Sequence, residues 1–108
     1  MREIKAIIRP ERVTHVLHAL HAIPELPGVT ISKVRGFGRR FPIDPEQPFD
    51  EVEMRKLEVV VPAAIAQSVV QVIERAAHTG RVGDGKIFVI PVEQAVKIRS
   101  AERDVRAL

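Results

Sequence analysis

The chain has 108 residues, 45% of them apolar, with 17 Lys and Arg against 14 Asp and Glu for a net charge of +3. That size and mixture specify one soluble globular domain and exclude a disordered, fibrous or strongly nucleic-acid-binding protein. Cysteine is absent, which excludes a disulfide scaffold, a thiolate metal site and a cysteine nucleophile. No apolar run is long enough for a signal peptide or a membrane span, so a cytoplasmic protein without direct membrane insertion is expected.

Residues 2 to 9 read as a strand because Ile4, Ala6 and Ile8 share one face. Pro10 then opens a helix whose stripe is Val13, Val16, Leu17 and Leu20, ending before Pro24 and the Pro27-Gly28 turn. Two β-branched runs follow, Val29 to Phe37 and Leu57 to Val61. Pro62 opens a second helix with Ile65, Val69, Val72, Ile73 and Ala76 on its apolar face and Gly80 as its stop. Lys86 to Val92 is a further strand, and Val96 to Arg99 a short last one. The order βαββαβ specifies an α+β, ferredoxin-like sandwich over residues 1 to 108, with two helices on one face of an antiparallel sheet. A domain this small leaves much surface unburied, which permits self-assembly.

Residues 39 to 53 hold three prolines and neither a helical nor a strand period, and a structureless connection of that length usually carries function. Gly80-Arg81-Val82-Gly83-Asp84-Gly85-Lys86 has the spacing of a phosphate-binding P-loop. Ile87 stands where the magnesium-binding hydroxyl belongs, however, and the segment runs from helix to strand, so the P-loop reading is rejected. Its physics survives: glycines let successive backbone N–H groups converge on an anion, with Lys86 or Arg81 adding charge. An ordinary glycine-rich turn is the competing reading.

His15, His18 and His21 turn steadily around the first helix, which suits exposed histidines better than a metal site. Lys97 and Arg99 place two cations on one side of the last segment, and a charged, solvated edge is their plainest reading. An RNA-binding sheet needs stacked aromatics, whereas this chain has no Tyr or Trp and its Phe37, Phe41, Phe49 and Phe88 are scattered. An acylphosphatase would need an Asn, and the chain has none. No Ser-His-Asp arrangement or spaced carboxylate pair is legible, so an enzyme is not expected.

Together the blocks Ile4–Pro10, Val34–Arg39, Glu58–Pro62, Thr79–Val89 and Val96–Arg99 resemble the PII signal-transduction proteins, with the glycine segment as the most specific match. The resemblance implies a homotrimer with adenine nucleotides (ADP, AMP or ATP) in clefts between subunits. It also implies a flexible T-loop, about residues 39 to 56, that regulates a target protein such as a transporter, an enzyme or a carboxysome component. Transferred onto this chain, Thr30 and Glu58 meet the adenine edge, while Gly83, Gly85 and Lys86 hold phosphates. Lys97 and Arg99 reach in as further cations, and Gly36, Phe37, Gly38 and Arg39 form the base of the loop. Val60 and Asp84 belong to the same implied nucleotide-binding set.

Two positions depart from the family pattern. Arg40 replaces a Gln that helps hold the magnesium of ATP, and Met54 replaces a Lys that contacts 2-oxoglutarate. The paired guanidinium groups of Arg39 and Arg40 suit a small planar anion, so bicarbonate sensing in the carboxysome-associated branch is expected, with no resident metal. The alternatives are a nitrogen-regulatory PII protein sensing ATP and 2-oxoglutarate, and a PII-like protein of a metal-efflux system.

Overall fold

Alternation along Arg2–Ile8 builds strand β1, and Ile4, Ala6 and Ile8 are fully buried in the computed structural model. The structure describes residues 1–40 and 42–108, so Phe41, within the expected loop, lies outside the described residues. Pro10 opens the next segment as a short 3-10 turn, Pro10–Arg12, because its missing N–H costs nothing there. That turn passes into helix α1, Val13–His21. Pro62 plays the same part before the 3-10 turn Ala63–Ile65 and helix α2, Ala66–Ala77. Between the helices run β2, Thr30–Arg39, and β3, Phe49–Val61; β4, Lys86–Pro91, follows α2.

All strand pairings are antiparallel, in the order β2-β3-β1-β4. With both helices on one face, this is the ferredoxin-like sandwich that the element order implies. The core lies between the layers: Ile4, Ala6, Ile8, Leu57, Val59 and Val61 from the sheet meet Val16, Leu20, Ala66, Val69, Ile73 and Ala77 from the helices. Leu17, expected in the stripe of α1, is 39% exposed, because i, i+3, i+4 spacing spreads a stripe wider than the sheet can cover. Arg12 ties the helices together by donating from Nε and Nη2 to the carbonyl of Ala76 at 2.9 and 2.7 Å, in the last turn of α2.

Two expectations are corrected. First, β3 begins at Phe49 rather than Leu57 and stays in register with β2 from Arg39↔Phe49 to Thr30↔Glu58. Since β1 reaches only Arg55 on β3, residues 34–39 and 49–54 form a two-stranded arm beyond the sandwich. The molecule measures 52 × 25 × 20 Å as a result. Second, Val96 makes one isolated bridge to Arg103 in place of a strand, and Ala101 N donates to the carbonyl of Lys97 to close a turn. The arm and this turn escape the period-2 signal for one reason, namely that neither has a face covered by other elements.

Truncating Ile73, fully buried on α2, to Ala is expected to lower stability by about 2–5 kcal/mol. The fully exposed Val82→Ala should change it by no more than about 0.5 kcal/mol. Denaturant unfolding at matched protein concentration checks this, and equal losses would contradict the packing.

Candidate functional site

The glycine segment between α2 and β4 is a turn that only glycine can build at three places. Gly80, Gly83 and Gly85 have φ of 86°, 96° and 102°. At Gly85 space is also the limit, since a Cβ would lie 1.7 Å from the carbonyl oxygen of Ile7, so the turn lies directly against β1.

Asp84 holds that turn in shape. Its Oδ2 accepts from the backbone N–H groups of Thr79 (2.8 Å) and Gly80 (2.9 Å), and its Oδ1 accepts from the Thr79 hydroxyl and from Arg9 Nε (2.8 Å). Arg9 also donates from Nη2 to the carbonyl of Val82 at 2.7 Å, which pins the turn to the end of β1. The Arg9 guanidinium first, then Thr79, hold the Asp84 carboxyl far below the usual carboxylate range. Both Asp84 oxygens are thus engaged within the chain, and this residue, expected among the nucleotide contacts, shapes the turn that carries Gly83, Gly85 and Lys86. Arg9 was not legible as its partner, because it lies 75 residues away in sequence.

Lys86 starts β4 opposite Ile7, while Thr30 lies directly across from Glu58 on β2 and β3. By strand alternation Thr30, Glu58, Val60 and Lys86 share the helix-free face of the sheet. Glu3 joins them there, with its Oε1 buried and without a hydrogen-bond partner among the described residues. The neighbouring Glu58 carboxyl first, then burial, raise the pKa of Glu3, and the approach of Glu3 lowers that of Glu58. Lys56 lies 3.6 Å from Glu58, so the adenine-edge candidate is an ionised carboxylate inside a charged row.

The expected loop base sits on the arm. Gly36, Phe37, Gly38 and Arg39 pair with Val52, Glu51, Asp50 and Phe49, and Phe37 is 59% exposed. Met54 is buried against Gly36, on the sheet face opposite to the helices. Arg40 donates to Asp50 Oδ1 from Nε (2.9 Å) and Nη2 (2.5 Å), while its N–H bonds the carbonyl of Pro48. Of the expected Arg39–Arg40 anion site, the Arg40 guanidinium is thus paired with a carboxylate that closes the arm. Lys97 and Arg99 lie on the C-terminal turn, where Lys97 N donates to the carbonyl of Glu102.

A cavity of about 410 Å³ opens between the end of α2 and the start of β4, lined in part by Ile7, Glu74, His78, Asp84, Gly85 and Lys86. Among the described residues no group of three or more His, Cys, Asp or Glu could hold a metal, and no helix is long and apolar enough to cross a membrane.

Gly85→Ala should destabilise the fold by about 1–3 kcal/mol from backbone strain alone, and further from overlap with Ile7. Gly83→Ala should cost the strain only, since its Cβ would meet Arg9 at 3.5 Å. Because folding lowers the Asp84 pKa, its contribution is complete above the ordinary aspartate range and is lost as pH falls from about 5 toward the folded value. Acid unfolding of Asp84→Asn should lack that component, whereas an unchanged acid limb would contradict the role of the clamp.

Comparison with known proteins agrees with this architecture. The family model "Nitrogen regulatory protein P-II" matches residues 1–102. The nitrogen regulatory protein P-II of Azospirillum brasilense is 40% identical, covering 95% of this chain and 96% of its own, and that of Synechocystis sp. is 38% identical over the whole of both chains. The crystal structure of Arabidopsis thaliana PII bound to citrate is similar at a TM-score of 0.84 and 41% identity, covering 99% of this chain and 91% of that one. With fold, register and sequence in agreement over nearly its whole length, the chain belongs to the P-II family of nitrogen regulatory, signal-transducing proteins.

Proposed function

We propose that this protein is an adenine-nucleotide-responsive regulator that works as a homotrimer and acts on a target protein through its β-arm. One observation carries the reading: the implied nucleotide contacts stand on opposite sides of one sheet. Thr30 and Gly36–Arg39 lie on edge strand β2, while Gly83–Lys86 lie at edge strand β4, three strand spacings or about 14 Å apart. A nucleotide laid flat across that face would leave its other side to water, whereas a second copy set edge to edge supplies the missing wall. The helix-free face supports assembly independently, because Val60, Phe88 and Ile90 stand there uncovered by the chain's own helices.

The relatives' names favour nitrogen regulation over inorganic carbon, and the Arg40–Asp50 ion pair leaves that guanidinium less open to a bicarbonate ion. The response to 2-oxoglutarate should nevertheless be weak. Arg40 and Met54 stand where the resemblance places a magnesium ligand and a cationic carboxylate contact, and neither can replace those groups.

Calorimetry and sedimentation test the reading together. We expect a trimer that binds ADP and ATP, about a 10- to 100-fold loss of ADP affinity in Lys86→Ala from one missing charge-assisted contact, and little change in ATP affinity with magnesium and 2-oxoglutarate. A monomer, or no binding of either nucleotide, would overturn the shared site. Strong magnesium-dependent enhancement by 2-oxoglutarate would overturn the account of Arg40 and Met54.

A further inference from the structure

Glu3 stands beside the adenine-edge candidates without a part in the site as proposed so far. It lies on β1 directly across from Val60, while Glu58, two positions earlier on β3, lies across from Lys5. Glu3 and Glu58 are therefore diagonal neighbours on the helix-free face, about 7–8 Å apart along the backbone, a gap that two long side chains close. On its other side Glu58 is directly across from Thr30 of β2. Glu58 thus stands between Glu3 and the other residue implied to meet the base.

The charges around the pair are unevenly shared. On β1 the neighbour is Lys5, β3 supplies Lys56 and Glu58, and β4 sets Phe88 and Ile90, which carry no charge, across from Lys5 and Glu3. Lys56 Nζ lies 3.6 Å from Glu58 Oε1, whereas Glu3 Oε1 is buried with no hydrogen-bond partner among the described residues. A buried carboxylate oxygen without a donor is costly, and two carboxylates side by side repel each other. One proton relieves both: it resides on Glu3, the member without a cation at hand, and is donated to the Glu58 carboxylate. The opposite displacements of the two carboxyls, Glu3 raised and Glu58 lowered from the ordinary carboxylate value, run in the same sense.

We propose that Glu3 is a positioning residue for base recognition: it holds the Glu58 carboxylate in place beside the bound base, which makes the site select a purine with an exocyclic amino group over one with a carbonyl there. The inference rests on the proposed nucleotide site and adds a residue and a selectivity to it. A glutamate carboxylate accepts hydrogen bonds and donates none. Adenine offers an amino group where guanine and hypoxanthine carry a carbonyl oxygen, so a fixed carboxylate gains a bond with the first and meets repulsion from the others. Lys56 alone is a poor fixture, since its ammonium rides on a flexible stem and lies 3.6 Å away. The carboxyl of Glu3 is anchored by its buried oxygen, and held between the two, Glu58 is ordered before the ligand arrives rather than at its expense.

The test compares ADP with inosine diphosphate, its carbonyl counterpart, by calorimetry at one neutral pH for wild type, Glu3→Gln and Glu3→Met. Both replacements approximate Glu in length; Gln keeps a donor for Glu58 and Met does not. Wild type and Glu3→Gln should favour ADP by about 10- to 100-fold, and Glu3→Met should lose about tenfold of that preference. Glu3→Ala, which also lacks a donor, gives the same comparison should Glu3→Met not assemble. No preference in wild type, an undiminished preference without the donor, or a preference in Glu3→Gln as weak as in Glu3→Met would overturn the role of Glu3 and leave the nucleotide site standing. Failure of wild type to bind either nucleotide would overturn both. Equal losses of affinity for the two nucleotides in Glu3→Met would assign Glu3 to the fold instead, because a structural defect does not distinguish an amino group from a carbonyl.

Discussion

The contact between Arg9 and Asp84 joins the two ends of the fold's logic. It ties the last residue before the first helical segment to a turn more than seventy positions later, across the one place where the chain comes close enough to β1 to forbid a side chain at Gly85. Asp84 then gathers two backbone N–H groups and a hydroxyl on the inner side of the turn. Because those donors are spent inward, the outer side is left to the glycines and Lys86. A turn with three positive-φ glycines leaves the free chain many other conformations, and this clamp fixes the one the fold uses.

Elsewhere the fold divides by how much of each strand is covered. Where helices lie over the sheet, burial of Ile4, Leu57, Val59 and Ile73 dominates, with each side chain contributing about 1.5–3 kcal/mol. Beyond the end of β1 that term vanishes, and the arm depends on backbone pairing, on Met54 folded over Gly36, and on ion pairs such as Arg35–Glu51 and Arg40–Asp50. Exposed pairs of this kind contribute about 0–1 kcal/mol each. The arm is therefore the weakest-held regular element, and it is also the one presented outward.

What the sequence makes legible follows the same division. Alternation and the 3.6-residue stripe marked both helices, β1 and the inner half of β3, because there a buried face writes its period into the chain. Asp50, Glu51 and Glu53 hid the outer half of β3, since exposed carboxylates carry no such period and have low strand propensity. The glycine turn was readable as a possible anion cradle, and its register with the other family blocks raised that reading above an ordinary turn. Arg9 as the holder of Asp84, Asp50 as the partner of Arg40, and Glu3 beside Glu58 were not readable, because each is a contact between side chains whose meeting only the folded chain determines. The Asp50 carboxylate beside Arg40 was hidden for the same reason: the adjacency of Arg39 and Arg40 in sequence says nothing about a carboxylate brought across by a hairpin.

The central claim is that two copies complete what one chain begins, with Asp84 and Arg9 shaping the phosphate half. A crystal structure grown with ADP tests it most directly. The account predicts the phosphates against Gly83, Gly85 and Lys86 of one subunit and the adenine beside Thr30 and Glu58 of its neighbour, with the Arg9–Asp84 contact intact. A nucleotide held wholly within one chain, or bound away from the glycine turn, would contradict it.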